Sequence, residues 1–275
     1  MRRVLRGAAY ALLPAEVVLA VLLVAGVRVP GAVLMGAEVA VLVLTAGGVV
    51  AYVHLRRRGL SWREAVHELV PEPVVRLIGH ELRLMVSLVR WVARRPHGAG
   101  PGLRVFGHAR DQAAYMYGFA FVCVVETAGM SYLLGSWPVV HAVVLVLDVY
   151  TVLFVLGLHA ASVTRPHVLG DGVLRLRQGG HVDLSIPLER IAAVRHEMRF
   201  SHEKEDGLLT LAVASQTSVT IELAEPVTAV RLLGARHQVR LVRCHADDAR
   251  GLTEALRRAL PRERTAPSPV PERPA

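Results

Sequence analysis

Lysine is almost missing from this chain: Lys204 is the only one, so 31 of the 32 Lys and Arg residues are arginine. Cysteine is nearly as scarce. Cys123 lies in an apolar stretch and Cys244 in the polar C-terminal third, so neither a disulfide framework nor a cysteine-based zinc site can be assembled. Aromatic residues make up 5% of the chain. The shortage of lysine beside an excess of Ala, Val, Leu and Gly matches a biased nucleotide composition, and the choice of arginine over lysine carries little functional meaning. Enzyme signatures are also absent. There is no G-x-S-x-G elbow, Walker loop or Cys/His zinc pattern. His67-Glu68 and His80-Glu81 each supply half of a zinc-protease motif, without the second histidine at the needed spacing. The glycines of PHGAGPG, residues 96–102, follow no strand and form a break rather than a dinucleotide loop. No cofactor is implied.

What is abundant is apolar length. The chain is 53% hydrophobic over 275 residues, with a mean hydropathy of +0.40. Four runs, 8–29, 31–53, 113–134 and 138–161, each approach the ~20 residues that cross a bilayer. They predict an α-helical membrane bundle of four transmembrane helices, with the lipid bilayer as first partner. Arg2, Arg3 and Arg6 before the first run could open a signal peptide. The length of that run, its Pro14 and Glu16, and the second run close behind favour a retained helix. The net charge is +9, yet nucleic acid is not expected, because the arginines flank apolar runs and no recognition motif accompanies them. Arg2, Arg3, Arg6, Arg56, Arg57, Arg58 and Arg165 stand on one side of the runs, and the two short turns hold one arginine between them. The positive-inside rule then places both termini and the long loop in the cytoplasm, in an inner membrane. The expected layout is a hairpin at 1–54, a cytoplasmic helical insert at 55–112, a second hairpin at 113–162, a β-domain at 165–260 and a disordered tail at 261–275.

The insert carries readable helix signals. Ser61-Trp62-Arg63-Glu64 matches a capping box, and Pro71-Glu72-Pro73 should end that helix. A second helix is expected at 74–95. Its Arg76, His80, Arg83, Ser87, Arg90 and Arg94 recur three and four apart, forming one polar stripe among apolar faces. That pattern suits a helix in the membrane interface, and equally a helix packed under the bundle with its stripe solvated.

Beyond the fourth run the pattern becomes alternating. Val182, Leu184 and Ile186 alternate with polar residues, as do Val219, Ile221 and Leu223, and then Val239 and Leu241, which predicts half-buried strands. Gln178-Gly179-Gly180 and Ser215-Gln216-Thr217 mark turns, and Asp247 or Asp248 caps a closing helix. Residues 166–195, with Ile186-Pro187-Leu188 and Ile191, resemble the opening of bacterial PH-like domains attached to membrane spans. The resemblance covers about 165–260. It implies a seven-stranded barrel plugged by one helix, serving as a cytosolic platform, and it carries over no catalytic or lipid-binding residue.

Each apolar run also holds one acid: Glu16, Glu38, Glu126 and Asp148. A charge at the centre of a spanning helix costs about 2.5–3.5 kcal/mol on insertion scales, so these acids need an explanation. Glu126 and Asp148 fall near the expected midplane on adjacent helices, with His141 two turns before Asp148. Cys123, Thr127 and Ser131 form a small-residue stripe beside Glu126 that permits close helix approach. One reading is a polar site for a proton, cation or metal, built from Glu126, Asp148, His141, Glu16 and Glu38. A second has Glu126 and Asp148 share a proton and staple two helices. A third makes them a surface for another membrane protein. For the whole chain, a non-enzymatic scaffold or regulatory component with a cytosolic interaction domain stands first, engaging a membrane or cytosolic protein. A small proton- or cation-handling protein, or a membrane-embedded acid/base enzyme, are the alternatives. Four spans are few for an alternating-access transporter, and a homo-oligomer would make up the number.

Overall fold

The computed structural model describes residues 29–98, 100–200 and 205–260. The run 8–29 and the tail 261–275 therefore lie outside the described residues, apart from Val29. Three helices among those described are long and apolar enough to cross a membrane: α1 (Gly31–Arg57), α4 (Arg110–Leu133) and α5 (Pro138–Thr164). Between α1 and α4 lie α2 (Trp62–Leu69) and α3 (Glu72–Val92). The chain divides into two compact units, one of residues up to Gly79 with Val124–Tyr150, the other of His80–Cys123 with Thr151 onward.

In the first unit, α1 begins after Pro30 and carries His54, Arg56 and Arg57 in its last turn, where cations complement the helix dipole. It closes in a Schellman motif. Leu60 N–H donates to Leu55 O and Gly59 N–H to Arg56 O, with Gly59 at φ +87°, the left-handed position that glycine fills without strain. The capping box of α2 is present in both directions: Ser61 N–H donates to Glu64 Oε2 at 2.8 Å, and Glu64 N–H to Ser61 Oγ at 3.3 Å. α3 starts at Glu72, two residues before the expected 74. Pro73 sits in its first turn, where no helical hydrogen bond is lost.

The second unit holds the β-domain. One sheet runs β1 (Arg104–Phe106), β2 (His167–Gly170), β3 (Val173–Gln178) and β4 (Val182–Pro187), all antiparallel. The other has β5 (Ile191–Arg199), β7 (Thr217–Val230), β8 (Arg236–Cys244) and β6 (Leu208–Leu211) in that order, with β6 parallel to β8. The eight strands exceed the seven expected, because β1 comes from the 55–112 segment and pairs with β2. The alternation in β4 and β7 sends Leu184, Ile186, Val219 and Ile221 into one core, while in β8 it breaks down, Val239 and Val242 joining that core and Leu241 remaining half-buried. Helix α6 (Ala249–Ala259) closes it with Leu252, Ala255 and Leu256, and Asp248 caps it through Gly251 N–H at 2.9 Å. Full burial of a leucine is worth about 1.5–3 kcal/mol, so α6 is held by its apolar face.

Candidate functional site

In the second unit, α3 buries one narrow side and leaves several large apolar residues exposed. His80, Leu84 and Ser87 are buried, while Leu82, Val89 and Val92 are exposed, Val92 at 75%. Two glycines make room for the buried side. A Cβ at Gly157 of α5 would lie 3.3 Å from Leu84 Cβ, and one at Gly180 would lie 2.7 Å from His80 Nδ1. Arg83 Nη1 donates to Gly180 O at 2.9 Å, and the His80 ring meets His181 edge-on at 5.9 Å. Within the predicted stripe His80 and Ser87 are buried and Arg90 is half-buried, while Arg83 stays exposed. Its ends differ: Arg76 pairs with Glu72 at 2.7 Å, and Arg94 is exposed.

The densest charge lies where α5 ends. Arg165, directly after Thr164, donates to Gly179 O at 3.2 Å and pairs with Asp183 at 3.2 Å. On β3, Arg175 meets Asp183 at 2.6 Å and Arg177 reaches it at 3.6 Å. Arg177 and Asp183 face each other across the β3–β4 ladder. Arg177 also donates to His97 O at 3.0 Å, and its side chain is 2% exposed. Three guanidinium groups therefore share one carboxylate. Burial lowers the pKa of both Arg165 and Arg177, and Asp183 opposes that shift. Asp183 is the carboxylate that all three contact, with its own side chain 29% exposed. His97 N–H donates to Thr164 O at 2.7 Å, and its ring contacts Arg90 Nη1. Burial first, then Arg90, Arg177 and Arg165, lower the His97 pKa, so it meets Arg90 as a neutral acceptor.

A second cluster is structural. His108 stacks on His167 with ring centres 4.6 Å apart. His167 Nε2 faces His245 O at 2.9 Å, and Arg177 N–H faces Nδ1 at 3.1 Å, which assigns Nε2 as donor and Nδ1 as acceptor. Burial pushes His167 down to about 4 and His108 well below the usual histidine value. His245 Nε2 lies 3.4 Å from Asp111 Oδ2. Among the described residues no group of three His, Cys, Asp or Glu side chains could hold a metal ion.

Among the described residues the intramembrane candidates form no group of three that could hold a metal ion. Glu126 is exposed and Asp148 half-buried, with Asp148 Oδ2 lacking a hydrogen bond. In the first unit α4 and α5 are joined by His141 Nε2 with Ser131 Oγ at 3.1 Å, among other contacts. Glu38 is exposed on α1, and Glu16 lies outside the described residues. Sequence reasoning missed the Arg165–Arg175–Arg177–Asp183 cluster. Its signal was the stretch Leu174-Arg175-Leu176-Arg177 facing Asp183 across a Gly-Gly turn, two arginines on the side of a strand that alternation assigns to water. Searched against protein-family models, curated proteins and solved structures, the chain matches none.

Proposed function

We propose that the chain is an integral inner-membrane protein that works without catalysis, as a scaffold or regulatory component. Its four spans leave both termini in the cytoplasm, and a PH-like β-domain serves as the docking platform. The observation that supports this best is how the β-domain is tied down. Its first sheet takes β1 from the segment before α4, and Arg165 and Arg83 donate to the β3–β4 turn. A domain fixed to the end of an apolar helix in this way holds its binding surface at a set orientation to the membrane. The two sheets closed by α6 support the PH-like reading, with β1 as the strand added to it.

The surface best suited to a protein partner is β5, an edge strand of the second sheet. Unpaired strand edges accept an added strand. Met198 is 47% exposed near its end, and Phe200, just beyond, is 69% exposed. Replacing both by serine in the full chain should abolish capture of a stoichiometric protein partner from detergent-solubilised membranes, without lowering the melting temperature. Recovery of the chain as a self-associated species alone, in wild type and variant equally, would overturn the platform reading.

A further inference from the structure

The end of α3 breaks a local rule that the end of α1 obeys. Arg95 N–H donates to Arg90 O at 2.9 Å and Arg94 N–H to Trp91 O at 3.0 Å, the same Schellman pattern as at Gly59. Here the left-handed residue is Arg94, at φ +53°, where a side chain is strained and glycine is the usual choice. No salt bridge among the described residues offsets that strain. Pro96 then stops the helix, and His97 N–H fixes the turn to Thr164 O at the end of α5.

This turn borders a groove of about 580 Å³ lined by Trp91, Val92, Arg94, Arg95, Val163 and Thr164. A volume in the ~300–1,000 Å³ range is that of a small-ligand site. Its walls have two characters. Trp91, Val92 and Val163 are apolar, with Val92 75% and Val163 40% exposed, and Arg94 and Arg95 are both exposed cations. Behind them stand Arg90, Arg165 and Arg177, with Asp183 as the carboxylate within reach of the last two. Trp91 packs edge-on against His159 at 5.7 Å, which holds the indole at the groove. Tryptophan and arginine at the end of an apolar helix are the residues that meet lipid headgroups.

We propose that this groove binds one anionic glycerophospholipid of the cytoplasmic leaflet, its phosphate between Arg94 and Arg95 and its upper acyl chain along Val92 and Val163. The site rests on the reading of the chain as a membrane protein and is independent of the protein partner at β5. The lipid, and not free phosphate, is the occupant because half of the lining is apolar and open.

The test is lipid titration of the full-length protein in neutral detergent, followed by melting temperature, using phosphatidylglycerol, phosphatidylcholine and inorganic phosphate. Wild type should be stabilised by phosphatidylglycerol and not by phosphatidylcholine or phosphate. The double variant R94G/R95Q should need about 30-fold more phosphatidylglycerol for the same effect, given about 1 kcal/mol per arginine near an anionic surface. Because glycine suits the left-handed turn, the variant should melt no lower than wild type without lipid, so the loss cannot be unfolding. The control R57Q/R58Q alters an arginine pair at the end of α1 and should leave the titration unchanged. Three outcomes would overturn the site: equal stabilisation by both lipids, an equal loss in the control, or full stabilisation by phosphate alone. If alkaline carbonate released wild-type protein from membranes, the membrane reading itself would fall; loss of partner capture at β5 would leave the lipid site standing.

Discussion

The fate of single residues here is decided by burial more than by type. His167 and His97 are both histidines near arginines, yet only His167 is enclosed with both ring nitrogens engaged. Its ordinary value of 6.5 falls to about 4, chiefly through burial, with the hydrogen bond to the His245 carbonyl opposing the fall, the Arg177 charge adding to it, and the His108 ring stacked upon it. Between those values the unfolded chain binds a proton that the folded chain refuses. The stability His167 contributes is therefore complete above pH 6.5 and is lost as pH falls through the window toward 4. The full loss is on the order of 3 kcal/mol. Melting of wild type and H167Q at pH 7.5 and pH 5 checks this. The variant should melt lower at pH 7.5, since two hydrogen bonds are altered, yet lose less on acidification. An equal acid loss in both would assign the pH dependence elsewhere.

Elements were legible wherever a local rule and the tertiary structure agreed. The capping box of α2, the alternation of β4 and β7, and the Asp248 cap of α6 each follow from spacing alone, because each is satisfied within a few residues of the signal. What could not be read was pairing across distance. β1 is three residues long and gains strand character only by lying beside β2, some sixty residues later. The orientation of α3 was ambiguous for a related reason. Its periodicity shows two faces, but which one turns inward depends on Gly157 and Gly180, neither of which belongs to the helix. α3 leaves Leu82, Val89 and Val92 exposed, and on the proposed membrane reading this side would face lipid. A nitroxide placed by V89C should be relaxed by oxygen dissolved in lipid far more than by a water-soluble nickel chelate. One placed by A235C, in the exposed β7–β8 loop, should show a greater share of nickel contact. Preferential nickel access at position 89 would mean that this face is covered by neither lipid nor protein.

At the scale of the whole chain, the placement of arginine yields a claim about sidedness that two positions can test. On the proposed membrane reading, arginines 56, 57 and 58 at the end of α1 and Arg165 at the end of α5 would mark one side, and the α4–α5 turn at Leu134–Trp137 holds none. The positive-inside rule then leaves that turn outside and the β-domain inside. Cysteine labelling is well suited here because the native thiols are quiet. Cys123 and Cys244 are both buried, and burial pushes the Cys244 thiol up to about 12, leaving almost no reactive thiolate at neutral pH. Ser136 in the turn and Ala235 in the β7–β8 loop are both exposed. In intact cells stripped of their outer barrier, an impermeant maleimide should label S136C and spare A235C, and permeabilisation should expose A235C. Labelling of A235C before permeabilisation would put the β-domain on the outer face. The anionic leaflet assigned to the Arg94–Arg95 groove would then be the wrong one, so the sidedness and the lipid site stand on the same arginines.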